Sequence, residues 1–160
     1  MRYNAMFSLG FAAVILLGCA APRGPAPAAA PVAAAEPARE AALMALALVG
    51  TPYAPRGGSP ATGFDCSGLV AYVYARALEL RLPRNTFDLA RVGVPVIASD
   101  LRPGDLVFYN TQHRPFSHVG IYLGEMRFVH APSSGGAVRL ENMRLGYWTQ
   151  RFDGARRVAY

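Results

Sequence analysis

Few side chains in this sequence can act as a nucleophile or move a proton at neutral pH. There are two cysteines, Cys19 and Cys66, and three histidines, His113, His118 and His130. A thiol becomes a useful nucleophile when a base stands beside it and a third group orients that base. Cys66 lies in the stretch GFDCSGLVAYVYARALEL, residues 63–80. Asp65 is a favourable helix N-cap, which puts Cys66 in the first turn of a helix. Backbone N–H groups there have no intrahelical partners, and the helix dipole adds partial positive charge. Both are expected to lower the thiol pKa. Ser67 and Gly68 are small enough for a substrate to come close. The plainer alternative is a buried, inert cysteine.

The base must come from the histidines. His113 sits in the polar loop NTQHRP and is expected to be solvated. His118 opens HVGIYLG, and His130 closes RFVH. Both runs read as strands joined by a tight turn at Gly124. A turn centred on Gly124 sets 118 opposite 130, with the two side chains on one face. His130 then hydrogen-bonds one nitrogen of His118 and turns the other toward a nucleophile. A slip of one residue separates them onto opposite faces.

The elements that must hold these groups follow from periodicity. Residues 40–49, EAALMALALV, read as a helix closed by Gly50, with Pro52 beyond. A proline- and glycine-rich loop follows. Leu69, Val70, Val73, Tyr74, Ala77 and Leu78 then recur at spacings of three and four, one face of a helix that Pro83 ends. Residues 85–93 suggest a further short helix. Strands are expected at 105–109, 118–124, 127–131, 137–142 and 155–160. Helices first and strands afterwards define an α+β domain, helices packed on an antiparallel sheet of about five strands.

The N-terminus concerns location. Residues 7–17, FSLGFAAVILL, form an apolar run suited to a signal peptide and short for a membrane span. The run ends in LLGC, which resembles the lipobox of bacterial lipoproteins. That resemblance implies cleavage after residue 18 and acylation of Cys19, several chains giving firm anchorage. Cys66 would then be a lone thiol in an oxidising compartment, where cysteines are usually paired. Residues 19–38 are mostly alanine and proline and read as a semi-rigid tether. At about 3.1 Å per residue it would reach on the order of 60 Å. The remaining chain, 39–160, is one domain. Ala20 follows Cys19 where many inner-membrane lipoproteins carry aspartate, so an outer-membrane anchor facing the periplasm is expected.

The formal net charge is +6, and all 16 basic residues are arginine. No basic run exceeds Arg156–Arg157, which argues against a nucleic-acid partner.

The segments GTPYAPRGGSPATGFDCSGLVAYVY, LPRNTFDLARVG, LRPGDLVFY, SHVGIYLG and FVHAPSSGG occur in this order. Together they resemble the NlpC family of bacterial wall peptidases, which have a papain-like fold. The resemblance implies Cys66 as nucleophile, His118 as general base and His130 as the orienting residue. It implies that Tyr53 lies near the oxyanion, and that Asp65 and Ser67 meet the amino end of a peptide stem. Arg84 would face a substrate carboxylate, or else be a surface arginine. The implied reaction is hydrolysis of an amide bond in the peptide stem or cross-link of peptidoglycan, by a monomer without metal or cofactor. Two other readings stay open. One is a zinc hydrolase using Cys66, His118 and His130, although their spacing matches no common zinc signature. The other is a catalytically silent lipoprotein that binds wall peptides or tethers envelope layers.

Overall fold

The computed structural model describes residues 32–158 apart from residue 135. The signal peptide, Cys19 and the first part of the tether lie outside the described residues. Helix α1 (Val32–Ala47) begins well before residue 40 and takes in the last residues of the stretch read as tether. Alanine is the strongest helix former, and the alanine run carries the helix past Pro37 despite that residue's missing N–H. Ala38, Ala41, Ala42 and Ala45 form its buried face. The helix ends at Ala47, so Gly50, expected as its C-terminal cap, lies beyond the cap position; it takes a φ of 92° and donates its N–H to the Val138 carbonyl at 2.9 Å.

After a small hairpin of β1 (Gly58–Ser59) and β2 (Gly63–Phe64) comes α2 (Cys66–Ala77), then the short α3 (Thr86–Leu89). The remaining elements are β3 (Val94–Val96), β4 (Leu106–Tyr109), β5 (His118–Gly124), β6 (Arg127–His130), β7 (Arg139–Asn142), α4 (Gly146–Thr149) and β8 (Phe152–Arg157). The main sheet has six strands in the order β3-β8-β4-β5-β6-β7, all pairs antiparallel. The architecture is the α+β one expected, with one strand more. The extra strand is β3, whose three residues carry no readable period.

Strand alternation gives the sheet two buried faces. Leu106, Phe108, Val119, Ile121 and Val129 pack with Leu69, Val70 and Val73 of α2 and with α1. Val107, Tyr109, Phe128 and Ala155 point the other way, onto Trp148 of α4. α2 is thereby clamped against β5, which fixes where the first turn of the helix meets the sheet.

The hairpin register differs from the expected one. Ile121 pairs with Val129, Tyr122 with Phe128 and Gly124 with Arg127. The turn residues are Glu125 and Met126, both at positive φ, 52° and 59°. Two successive left-handed residues are the geometry of a two-residue hairpin loop. A register shift between Tyr122 and Gly124 adds a further offset. The pairing is displaced by two residues from one centred on Gly124. An even displacement keeps every side chain on its face.

Candidate active site

Three local devices place Cys66. Asp65 caps α2, its Oδ1 accepting the Gly68 N–H at 2.6 Å. The Ser67 hydroxyl donates to the same Oδ1 at 3.0 Å and to the Arg84 carbonyl at 2.9 Å. The loop before the helix lies directly on its first turn. A Cβ on Gly68 would come within 2.0 Å of the Gly57 carbonyl oxygen, so only glycine permits this approach. Asp65 N–H also donates to the Gly57 carbonyl, at 3.2 Å.

The thiol is partly buried and unpaired. Its pKa lies above the ordinary thiol value, the reverse of what the helix start suggested. Burial pushes it up, and the Asp65 carboxylate pushes the same way. The N–H groups of Val119, Ser67 and Cys66 favour the thiolate without cancelling these effects. The Val119 contact also locates the sulfur, against β5 and beside the residue that follows His118. Tyr53 is held by its own N–H on the Gly136 carbonyl, at 2.9 Å, and by a bridge to Phe64. Its phenol is pushed up by burial, then by the Cys66 and Asp65 charges, so it shares their surroundings.

His118 and His130 are 2% and 1% exposed. Continuing the observed register sets Gly120, not His118, opposite His130, so the histidines are diagonal neighbours. They still meet, His118 Nε2 lying 2.7 Å from His130 Nδ1. Gly120 presents no side chain between them. Burial holds His118 below the usual imidazole range, at about 4, and the Arg139 guanidinium adds to that. Burial, then the charges of His118 and Arg139, push His130 down as well.

Trp148 was not singled out from the sequence. Its indole stacks on His118 at 6.1 Å and 25°, and meets His130 edge-on at 5.0 Å. As the one tryptophan of the chain it offered a compositional signal, but four residues of helix carry no period to place it. A cavity of about 570 Å³ opens beside the histidine pair, lined by both rings and by Arg139, Glu141, Tyr147 and Trp148 among others.

Arg84 lies over the small residues. Its Nη2 donates to the Arg56 and Gly57 carbonyls at 3.1 and 3.0 Å and sits 3.7 Å from Asp65. These bonds tie the loop before the helix to the segment after it. His113 stays apart, exposed in its loop with a φ of 54°. Among the described residues no group of three or more His, Cys, Asp or Glu side chains is arranged to hold a metal ion.

A chain with these elements, a cysteine in the first turn of α2 and a buried histidine pair on the sheet is a papain-like α+β domain. The NlpC/P60 family model matches residues 50–157, and the chain belongs to that family. It is 42% identical over 113 residues to the murein DD-endopeptidase MepH of Escherichia coli, covering 69% of this chain and 42% of MepH. A probable endopeptidase of Haemophilus influenzae is 39% identical over 125 residues, with 72% of this chain and 76% of that protein covered. Among solved structures, an NlpC/P60 family protein from Bacillus cereus superposes with a TM-score of 0.70 at 28% identity, over 77% of this chain and 40% of that one. RipD of Mycobacterium tuberculosis, a non-catalytic NlpC/p60 domain protein adapted to peptidoglycan binding, superposes at 0.63 with 26% identity, over 76% of this chain and 97% of that one. The chain spans less than half the length of the first curated relatives it matches, 42% for MepH.

Proposed function

We propose that this chain is a lipid-anchored peptidoglycan endopeptidase that hydrolyses an amide bond of the wall peptides through Cys66, His118 and His130. The observation that carries the reading is the 2.7 Å contact between two buried histidines, one of them on the strand whose Val119 amide favours the Cys66 thiolate. The endopeptidase names of the relatives support the substrate class.

His118 Nε2 is engaged by His130, which leaves Nδ1 to act as base. With Nδ1 unprotonated, the ring carries its proton on Nε2 and donates it to His130 Nδ1. That bond fixes the ring's orientation, and Trp148 packs against both imidazoles. At neutral pH the resting pair is thiol and neutral imidazole, because the thiol is raised and the histidine lowered. Attack therefore includes proton transfer. The Cys66 proton passes to His118 Nδ1 as Sγ bonds to the carbonyl carbon. The developing oxyanion is met by the Cys66 N–H and by the Tyr53 hydroxyl. Losing one such donor costs about 10²–10³ in rate. The tetrahedral intermediate collapses by breaking the C–N bond, and the amine leaves with the proton from His118. Water then gives a proton to His118 and its oxygen to the thioester, which restores the thiol and releases the acid.

Asp65 and Ser67 stand at the start of α2, where the amino end of a stem peptide would lie. Cys19, acylated after removal of residues 1–18, would anchor the chain, with the outer membrane as the favoured site. Cys19→Ala should move the protein from the membrane to the soluble fraction.

Digestion of crosslinked peptidoglycan by the purified chain, beside Cys66→Ala, tests the activity. Mass spectrometry should find new muropeptides with the unmodified chain only, and their masses name the bond. RipD favours a second reading, a silent wall-binding protein. Wall sedimentation with no fragments from a folded chain would establish that one instead.

A further inference from the structure

Arg139 and Glu141 take no part in the proposed hydrolysis, yet line the cavity beside the histidine pair. In the β6–β7 pairing Arg139 stands opposite His130, and Glu141 opposite Phe128. Opposed residues share a face, so both project beside the histidine pair. Glu141 uses both carboxylate oxygens. Oε1 accepts Arg139 Nε at 2.8 Å, and Oε2 accepts the Trp148 indole N–H at 3.3 Å. The guanidinium is thus aimed through its Nε. Its terminal Nη1 and Nη2 have no hydrogen-bond partner among the described residues, and the side chain is 48% exposed. Two further residues of this cavity, Thr111 and His130, each have a buried polar atom without a partner, Oγ1 and Nε2 respectively. When His118 acts as base, His130 Nε2 carries a proton. A preset guanidinium fork, an unpaired N–H and an unpaired hydroxyl all lack an acceptor. Together they suit an anion, and the fork geometry suits a carboxylate held through two parallel bonds.

The mechanism says which half of the substrate carries it. His118 must deliver a proton to the departing amine, so the leaving half lies on the histidine side of the thiol. The cavity is lined by His118 and His130, and Cys66 is not among its lining residues. We propose that Arg139 is a specificity-determining residue that binds a free carboxylate on the carbon bearing the leaving amine. The chain would then prefer amide bonds whose released amine belongs to an amino-acid centre with an unblocked carboxylate. The inference rests on the amide-hydrolase reading above. Two sources supply this group: the free centre of a diamino acid joined through a cross-link, and the last residue of an uncrosslinked stem.

The test uses the purified full chain and two pairs of substrates. One pair is a crosslinked muropeptide dimer with the carboxylate beside the scissile nitrogen free or amidated. The other is an uncrosslinked stem with its C-terminal carboxylate free or amidated. In the pair that is cleaved, amidation should lower kcat/KM by about 10- to 100-fold, the range of a charged hydrogen-bond pair. The cleaved pair identifies the source. Arg139→Gln should lower kcat/KM on the free carboxylate by a similar factor and bring the free-to-amidated ratio close to one. Arg139→Lys should recover part of the loss by keeping the charge without the fork. Equal cleavage of free and amidated substrates by the unmodified chain would overturn the inference and leave the hydrolase reading standing. That ratio needs no variant to fold. Discrimination that survives in Arg139→Gln would overturn it too. No cleavage of any substrate would overturn both.

Discussion

At the scale of single residues, the protonation of Cys66 decides how the site works. A helix start ordinarily favours thiolate. Here the N-cap is an aspartate, and its carboxylate, with burial, outweighs the amide donors of Val119, Ser67 and Cys66. The pH dependence follows from the two directions. A raised thiol and a lowered imidazole cannot form a resting thiolate–imidazolium pair. Alkylation by iodoacetamide should therefore show no reactive plateau at pH 5–7, and should rise only in the alkaline range. Asp65→Asn separates the two jobs of Asp65. Asparagine caps as well as aspartate, so stability should stay within about 0.5 kcal/mol. The charge is gone, so the alkylation profile should move to lower pH and the reaction at pH 8 should quicken. An unmoved profile would show that Asp65 does not set the thiol. None of this was readable from the sequence. The spacing revealed a cap and a thiol at a helix start, but the balance between dipole, carboxylate and burial needs the packing.

At the scale of elements, the β5–β6 hairpin brings the histidines together, and the sequence showed its strands better than its register. The apolar runs marked β5 at its observed bounds, His118–Gly124. Gly124 also read as the turn, because glycine is the usual left-handed residue. The turn is made instead by Glu125 and Met126, two residues without that preference, and a bulge adds to the offset. The pairing of the imidazoles survived because the displacement was even. β8 lies three residues earlier than its apolar pattern suggested, and α4 has too few residues for any period. The observed register gives Gly120 a role hidden from the sequence. A Cβ there would lie 2.5 Å from Phe128 Cδ2 and 2.8 Å from the Val129 carbonyl oxygen. Gly120→Ala should cost about 1–3 kcal/mol by overpacking. Shifting Phe128 and Val129 also shifts His130, so hydrolysis should fall about tenfold or more. Gly146→Ala, with nothing within 4 Å of its Cβ, serves as the control and should change neither. Urea melts and muropeptide release on both variants check this, and a Gly120→Ala chain matching the control would remove Gly120 from the argument.

At the scale of the whole molecule, the last strand closes what the first half begins. β8 lies between β3 and β4, so β3 cannot join the sheet until β8 is in place. One ion pair pins that closure. Arg157, the last residue of β8, donates through Nε and Nη2 to the two Asp105 oxygens at 2.9 and 2.7 Å. Asp105 is 2% exposed and also accepts the Arg102 N–H at 2.8 Å. The pair joins the turn before β4 to the strand beside it, 52 residues later in sequence. From sequence, Asp105 read only as the first residue of a strand. Its partner was unrecognisable because nothing local links two positions so far apart. Such a pair is costly to break from the arginine side, since the buried Asp105 charge is then left without its partner. Arg157→Met, which strands the buried Asp105 carboxylate, should lose about 3–5 kcal/mol of unfolding free energy, and Asp105→Ala less, because the Arg157 side chain keeps 27% of its surface exposed. The double variant Asp105→Ala with Arg157→Met removes both charges together. It should lose clearly less than the two single losses added, a coupling of about 0.5–3 kcal/mol. Urea unfolding of the four chains measures this directly. Additive losses would mean that the two ends of the sheet are held independently and that the bidentate pair contributes nothing to its closure.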